Sequence, residues 1–218
     1  MLFFLDSAKL DEIEYAIKNW KIDGITTNPK HLMTAGMKMD EFIKKIKPMV
    51  EGTHITVSLE IDPHLQDPEK MIEQARNLAT LSENFVIKIP ATEPGFIALE
   101  KLAKENVKVN MTLIFNVLQA LQAAKLGAYY ISPFVGWKEE RGDFDKDFIA
   151  TIVKAVKNYG FKSKILIAAV RNLKHFEEAA LAGADIITAG FEVYKRGFEN
   201  PYVKLGLEIF CDAWQKIQ

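Results

Sequence analysis

The sequence predicts one α/β domain over residues 1–218, folded as a closed (β/α)8 barrel of the TIM-barrel type with a C-terminal helix. Two observations lead to this prediction. Eight short runs rich in Val, Ile, Phe and Thr recur along the chain, and most are continuously apolar, as is typical of parallel strands covered on both faces. Segments with helical periodicity lie between them, and no linker or low-complexity tract divides the chain.

The number of candidate strands favours a closed barrel, and 218 residues lies near the lower end of its size range. An open doubly wound sheet is the alternative. A nucleotide-binding sheet of that kind has a Gly-rich turn after its first strand, whereas Ser-Ala-Lys follows Asp6 here. In chain order the candidate strands are Leu2 to Asp6, Gly24 to Thr27, Ile55 to Glu60, Phe85 to Pro90, Val107 to Thr112, Tyr129 to Pro133, Ile165 to Ala169 and Asp185 to Ala189.

Capping residues predict where the helices begin and end. Asp67 and Pro68 can open a helical stretch that runs to Asn84, and Asn116 can cap one over Val117 to Leu126. Glycines follow helical segments just before a strand at Gly127, Gly160 and Gly183. The last helix, Tyr202 to Ile217, has an apolar stripe that must pack on its own barrel or on a neighbouring subunit. The stripe consists of Val203, Leu207, Phe210 and Trp214.

The composition narrows the possible partners. The chain has 28 Lys and Arg against 29 Asp and Glu, without a basic run, so neither a nucleic-acid partner nor a polybasic membrane contact is expected. No segment approaches the ~20 apolar residues of a membrane span, and the first six residues lack the basic start and cleavage site of a signal peptide. We therefore expect a cytoplasmic protein.

Cysteine and histidine usage argues against a metal site. Cys211 is the only cysteine, which excludes an internal disulfide and fits a reducing cytosol. Because its apolar neighbours lie at helical spacing, we expect Cys211 to be a packing residue. The four histidines form neither an HExxH motif nor a paired spacing, so no metal is expected. We expect surface or loop positions for His31, His54, His64 and His175.

In a closed barrel, function lies at the carboxyl ends of the strands. The polar residues at these ends are Asp6, Thr26, Thr27, Asn28, Glu60, Lys88, Asn110, Thr112, Ser132 and Arg171. Lys88 is unusual, because a lysine in an apolar strand must bury its ammonium or become a neutral amine, which is a nucleophile towards ketones and aldehydes. The alternatives are that Lys88 reaches solvent at an edge or neutralises a carboxylate such as Glu60 for structure alone.

The other strand-end residues suit a substrate with several hydroxyl groups. Asp6 and Glu60 can divide the roles of base and acid if their environments differ, although either could also be a cap or an ion-pair partner. Amides and hydroxyls both donate and accept hydrogen bonds, so they can hold a polyhydroxylated substrate, although each alone is also a common turn residue. These residues are Thr26, Asn28, Asn110, Thr112 and Ser132.

Over essentially its full length the chain resembles the short-form transaldolases, the group that also contains fructose-6-phosphate aldolase. The matching segments are Phe4-Leu-Asp6, Gly24-Ile-Thr-Thr-Asn-Pro29, Ser58-Leu-Glu60, Val86-Ile-Lys-Ile-Pro90, Asn110-Met-Thr-Leu-Ile-Phe115, Ile131-Ser-Pro-Phe-Val-Gly136 and Arg171-Asn172. The resemblance implies class I chemistry without metal or organic cofactor, in carbohydrate metabolism such as the pentose phosphate pathway. It also implies a homo-oligomer, usually a pentamer or decamer in which the C-terminal helix contacts a neighbour.

The resemblance further implies a role for each site residue. Lys88 would form the Schiff base, and Asp6 would take the proton of the C4 hydroxyl during carbon-carbon cleavage. Glu60 would act through a water, with Thr112, as the proton shuttle for imine formation. The dihydroxyacetone hydroxyls would be held by Asn28, Asn110 and Ser132.

Two positions indicate a transferase rather than a simple aldolase. The resemblance implies that simple aldolases carry Gln in place of Glu60 and Tyr in place of Phe134. A tyrosine could protonate the enamine and release free dihydroxyacetone, whereas the Phe134 ring would shield the intermediate. We therefore expect transfer of a dihydroxyacetone unit between aldoses. A plain aldolase and a barrel that binds a sugar without turnover are the alternatives.

Two positions depart from the resemblance where the anionic tail of the substrate would bind. Trp137 replaces an expected Arg and Ala169 an expected Ser, while Arg171 is kept. With Arg171 alone, the site matches a sulfonate monoanion better than a phosphate, which carries close to two charges. The sequence therefore predicts a sugar phosphate of the fructose 6-phosphate type or a 6-deoxy-6-sulfofructose donor. Lys138 or Arg141 could restore a phosphate site.

Overall fold

The structure is a computed structural model that describes residues 1–143 and 145–218, and it confirms the barrel. The strands are β1 Leu2–Asp6, β2 Gly24–Thr26, β3 Thr56–Glu60, β4 Phe85–Pro90, β5 Val109–Ile114, β6 Tyr130–Pro133, β7 Lys164–Val170 and β8 Ile186–Ala189. They pair in parallel in sequence order, and β8 closes the sheet on β1.

Helices connect the strands, and their predicted starts are confirmed. The helical stretch predicted to run from Pro68 to Asn84 ends earlier, at Ala79, and turn residues lead from there into β4. The side chains of Asp67 and Asn116 each accept a main-chain hydrogen bond at a helix start. Left-handed φ values, which favour glycine after a helix, occur at Gly127, Gly160 and Gly183. The helices are α1 Leu10–Tyr15, which a π-helical turn continues over Ala16–Trp20, α2 Pro29–Thr34, α3 Met39–Val50, α4 Pro68–Ala79, α5 Glu93–Lys104, α6 Val117–Lys125, α7 Val135–Glu140, α8 Phe148–Asn158, α9 Leu173–Ala182, α10 Phe191–Phe198 and α11 Pro201–Lys216.

Two strands extend further than predicted. β5 continues past Thr112 to Ile114, and β7 reaches Val170. Each has a register shift near this end, and the residue within the shift has a left-handed φ, 58° at Leu113 and 57° at Ala169. Non-glycine residues in this conformation are uncommon and tend to cluster at functional sites.

Alternation along the strands divides the barrel interior into two layers. Side chains two residues apart point to the same face of a sheet, so apolar residues near the amino ends lie beneath more polar residues near the carboxyl ends. The lower, apolar layer includes the buried residues Phe4, Val86, Tyr130, Leu166 and Ile186. Two residues further along the same strands come Asp6, Lys88, Ser132, Ala168 and Thr188. The apolar layer therefore forms a floor beneath the strand-end residues.

The C-terminal helix leaves its apolar residues uncovered. The predicted stripe is exposed, and no residue of α11 is buried. Packing of the stripe on its own barrel, one of the two surfaces that the sequence allows, is therefore excluded. The prediction that Cys211 is a packing residue is wrong for the same reason, because Cys211 lies exposed on this helix.

The helices in the described ranges include none that is long and apolar enough to span a lipid bilayer.

Candidate active site

A cavity of about 610 Å³ opens at the carboxyl ends of the strands. Most of the predicted site residues line it, namely Asp6, Thr26, Asn28, Glu60, Lys88, Ser132, Phe134, Trp137 and Arg171. Asn110 and Thr112 do not line it, because both are fully buried in the barrel wall beside it. The strands thus bring together side chains that lie as far apart in the sequence as Asp6 and Arg171.

Lys88 is buried in the barrel interior, with 5% of its side chain exposed. Its Nζ donates to the Thr27 carbonyl at 3.2 Å and lies 3.2 Å from Glu60 Oε2. The pair is in register across two strands, since Glu60 on β3 faces Lys88 on β4. The alternative that Lys88 reaches solvent is therefore wrong, and its amine lies at the base of the cavity.

Asp6 stands at the end of β1, three strands away from Lys88 on β4. Its Oδ1 accepts a hydrogen bond from Thr26 Oγ1 at 2.7 Å, and Thr26 Oγ1 is also 2.6 Å from Thr188 Oγ1. Thr26 sits opposite Asp6 in the β1–β2 register. Two threonines therefore orient this carboxylate.

Asn110 holds a neighbouring hydroxyl in place. Its Oδ1 accepts from Ser132 Oγ at 2.6 Å, and its Nδ2 donates to Ser58 Oγ at 3.2 Å. Ser132 lines the cavity, whereas Asn110 is behind it. This arrangement fixes the direction of the Ser132 hydroxyl.

The buried Oγ1 of Thr112 makes no hydrogen bond to any residue that the structure describes. Thr112 faces Pro90 in the β4–β5 register, two residues beyond Lys88. A buried hydroxyl normally finds a partner, so this position fits an ordered water near Lys88.

An aromatic wall covers the cavity on the β6 side. The Phe134 ring centroid lies 5.7 Å from Lys88 Nζ. Phe134 packs edge-on against Trp137 at 5.4 Å and against Phe115 at 6.0 Å. Phe134 is itself buried, so the wall is apolar where it faces the amine.

Charged side chains surround the mouth of the cavity. Arg171 Nε donates to Glu140 Oε1 at 2.6 Å, and this hydrogen bond lowers the pKa of the Glu140 carboxyl, which is therefore ionised at neutral pH. Arg141 also lines the cavity and stacks over the Trp137 ring at 5.5 Å. Lys138 points elsewhere and pairs with Asp143. Of the two replacements that the sequence allows, Arg141 is thus the one beside the site.

Similarity to known proteins identifies the family. Residues 3–217 match the family described as Transaldolase/Fructose-6-phosphate aldolase. The chain belongs to this family. Membership confirms the resemblance seen in the sequence, and with it the enzyme class.

The relatives of this transaldolase-family chain match nearly its whole length. A 6-deoxy-6-sulfo-D-fructose transaldolase of Priestia megaterium is 47% identical, over 98% of this chain and 95% of that protein. A "Probable transaldolase" of Coprothermobacter proteolyticus is 44% identical, over 100% of this chain and 98% of that protein. A "Probable transaldolase" of Petrotoga mobilis is 42% identical, over 100% of this chain and 96% of that protein.

One solved structure supports the fold alone. It is described as a "putative deoxyribose-phosphate aldolase" from Coccidioides immitis, and it superposes with a TM-score of 0.62 at 10% identity. The match covers 89% of this chain and 82% of that one.

Several residues that line the cavity of this transaldolase-family protein were not predicted from the sequence. Thr188, Glu140 and His31 all line it. Thr188 could have been found as the polar residue near the end of β8, but Glu140 and His31 lie on short helices that no periodic pattern marks. His31 has 25% of its side chain exposed, so its predicted surface position holds only in part.

The predicted surface position of His175 is wrong. His175 is fully buried, and its Nδ1 accepts a hydrogen bond from the main-chain N–H of Arg171 at 3.2 Å. Its Nε2 lies 2.9 Å from Glu139 Oε2, although the two are not aligned for a hydrogen bond. The buried imidazole thus has one hydrogen bond, at Nδ1, and a carboxylate close to Nε2. His54 and His64 are exposed, as predicted.

Within residues 1–143 and 145–218, no group of three or more His, Cys, Asp or Glu side chains could hold a metal ion.

Proposed function

We propose that the chain is a class I transaldolase that transfers a dihydroxyacetone unit from a ketose with an anionic tail, of the fructose 6-phosphate type, to an aldehyde acceptor. The observation that carries this proposal is the buried Lys88 amine, 3.2 Å from Glu60, in a cavity that Asp6 also lines. Family membership supports the same chemistry. No metal or organic cofactor is needed for it.

The first step joins Lys88 to the C2 carbonyl of the ketose. The neutral amine attacks the carbonyl carbon, and the resulting carbinolamine loses water to give a protonated imine. Glu60 is close enough to take the proton from Lys88. We assign the shuttle of protons to Glu60 and a water held by the Thr112 hydroxyl, which has no hydrogen-bond partner among the described side chains and main chain.

The second step breaks the C3–C4 bond. The protonated imine accepts the electron pair and becomes an enamine, while Asp6 takes the proton of the C4 hydroxyl. Thr26 donates to Oδ1 of this carboxylate and thereby orients it in the cavity. We assign Asn28, Ser132 and Asn110 to the hydroxyls of the dihydroxyacetone unit, with Asn110 acting through Ser132.

A donor and acceptor panel tests the proposal as a whole. The purified chain should convert fructose 6-phosphate or its sulfonated analogue only when an aldehyde acceptor is supplied, and it should form a ketose from that acceptor. A barrel that binds sugars without turnover predicts binding but no product. A plain aldolase predicts free dihydroxyacetone without an acceptor.

Phe134→Tyr should shift the enzyme from transfer towards release of free dihydroxyacetone. The ring lies next to Lys88, so a hydroxyl at its tip would supply an acid for the enamine. We expect the ratio of released to transferred dihydroxyacetone to rise by about tenfold or more; the full contribution of a well-placed acid is ~10² to 10⁴. Phe115→Tyr is the matched control, because that ring adjoins Phe134 but does not line the cavity. An unchanged ratio in Phe134→Tyr would mean that another feature controls access of water.

A sulfonated ketose is a second candidate substrate, favoured by Glu140. This carboxylate is bonded to Arg171 at the mouth of the cavity, so it offsets one positive charge there. It repels a phosphate dianion more strongly than a sulfonate monoanion. A relative named 6-deoxy-6-sulfo-D-fructose transaldolase, at 47% identity, supports the same candidate.

A competition assay between fructose 6-phosphate and 6-deoxy-6-sulfofructose separates the two tails. Arg171→Ala should lower kcat/KM for both by roughly 10- to 100-fold, the value of a lost charge-assisted hydrogen bond. Glu140→Gln should raise kcat/KM for the phosphate relative to the sulfonate. Lys138→Ala is the control, since Lys138 pairs with Asp143 outside the cavity. The sulfonate candidate is wrong if the phosphate is preferred tenfold or more by the unmodified chain.

We further propose that the chain acts in the cytoplasm as a homo-oligomer, a pentamer or decamer. The exposed apolar residues of α11 support the oligomer, because a helix with one apolar stripe is stable only when another surface covers it. The single cysteine, exposed on that helix, fits a reducing compartment. Sedimentation as single chains would contradict the oligomer.

A further inference from the structure

A histidine faces the proposed base at the mouth of the cavity. His31 Nδ1 lies 3.4 Å from Asp6 Oδ1, and His31 lines the cavity with a quarter of its side chain exposed. His31 belongs to α2, which follows directly after β2, and β2 pairs with β1. The connection between the two elements therefore places an imidazole beside Asp6.

Asn28 fixes the orientation of this imidazole. The main-chain N–H of His31 donates to Asn28 Oδ1 at 3.0 Å, so the Nδ2 of the same amide faces His31 Nδ1 at 3.3 Å. An amide Nδ2 can only donate, which favours the tautomer with the ring proton on Nε2. Nδ1 then has one lone pair, which accepts from Asn28 and lies 3.4 Å from Asp6 Oδ1, so it can take a proton from Asp6 by exchanging the Asn28 hydrogen bond for that contact.

The two other carboxylates in the cavity are engaged elsewhere. Glu60 pairs with Lys88, and Glu140 pairs with Arg171. Lys30, next to His31 in the chain, and Arg141 are cations that also line the cavity. Asp6 is therefore the carboxylate that faces His31.

Transfer between two aldehydes creates a need for a proton reservoir. Asp6 takes a proton when the donor is cleaved, and the first aldehyde must leave and the second must enter before that proton is used. The neighbouring group that can accept a proton from Asp6 and give it back is the His31 imidazole, whose Nδ1 lies 3.4 Å from Asp6 Oδ1. If a group beside Asp6 holds the proton, the proton taken up in the first half-reaction is available for the second.

We propose that His31 receives this proton from Asp6 and returns it when the acceptor aldehyde binds, an inference that rests on the proposed function. In the donor half-reaction, the C3–C4 bond breaks and its electron pair forms the enamine. The C4 hydroxyl proton passes to Asp6 and then to His31 Nδ1, which gives an imidazolium. In the acceptor half-reaction, the enamine carbon attacks the aldehyde carbon, and the proton returns through Asp6 to the aldehyde oxygen. His31 acts through Asp6 and is therefore a positioning residue for the proton.

The test compares two readouts in His31→Ala. Borohydride trapping of the ketose and release of the first aldehyde in a single turnover should stay within about threefold of the unmodified chain. Transfer to the acceptor should fall by about 10- to 100-fold, at or below the lower limit of the ~10² to 10⁴ that a direct acid–base group contributes, because His31 acts through Asp6. Free imidazole should restore transfer at least fivefold, because the substitution leaves space for it. His31→Asn fills that space without a comparable base, so it should be equally slow and not rescued.

His64→Ala is the matched control. His64 Nδ1 lies 2.7 Å from Asp62 in an exposed histidine–aspartate pair that does not line the cavity, so transfer should be unchanged. The inference is overturned if His31→Ala transfers within twofold of the unmodified chain. It is also overturned if trapping and transfer fall equally without imidazole rescue, which is what a structural role predicts. Absence of trapping in the unmodified chain would instead refute the proposed function.

Discussion

Lys88→Met is expected to lose turnover by on the order of 10⁴-fold or more, as when a covalent nucleophile is removed. Methionine has a similar length and fits the apolar surroundings of this strand, where Val86 lies below and Phe134 beside it, so the chain should fold normally. Borohydride with a ketose should add the mass of the reduced substrate to the Lys88 peptide of the unmodified chain. The variant should show no adduct and an unchanged circular dichroism spectrum.

Lys164→Met is the matched control for this substitution. Lys164 is also a strand lysine, at the start of β7, but it is exposed. We expect full activity and normal trapping at Lys88. An adduct on any lysine other than Lys88 would show that the nucleophile has been misassigned.

Asp6→Ala and Glu60→Gln should each lower overall turnover by about 10² to 10⁴-fold, the contribution typical of acid–base groups. They should do so at different steps. Asp6→Ala should still trap the ketose with borohydride, because Lys88 and Glu60 are intact, but it should fail to release the aldehyde. Glu60→Gln should slow trapping itself, since the residue next to the amine can no longer accept its proton.

Thr188→Val provides the control for the geometry of Asp6. Thr188 touches Thr26, which donates to Asp6, so this change perturbs the support of the carboxylate without removing it. Its effect should be smaller than that of Asp6→Ala and confined to cleavage. If Asp6→Ala and Glu60→Gln slow trapping equally, the two carboxylates do not divide the roles as proposed.

The strands and their site residues were predictable because buried parallel strands are continuously apolar. A lysine in such a run, as at Lys88, stands out against Val86, Ile87 and Ile89. Closure of the barrel then follows from the number of strands, and the carboxyl ends converge in space.

Residues outside the periodic elements were not predictable in the same way. Glu140 and His31 lie on α7 and α2, which have six residues each, too few for an amphipathic pattern. The burial of His175 depends on two contacts from distant parts of the chain, Glu139 and the main chain of Arg171. The exposure of α11 could not be predicted, because a periodic stripe shows that a helix needs a partner but not which surface provides it.

The apolar floor has a consequence for how faithfully the site forms during folding. Asp6 and Lys88 stand two residues beyond Phe4 and Val86 on the same strands, so one alternation pattern directs both the floor and the reactive groups inwards. A slip of one residue in β4 would turn Lys88 out towards the helices and bring Ile87 into the barrel. Such a strand would lose its buried contacts as well as its nucleophile. The same hydrophobic contacts that stabilise the floor therefore also stabilise the one strand register in which Lys88 points into the barrel. A chain that has packed its core correctly has also placed its reactive groups correctly.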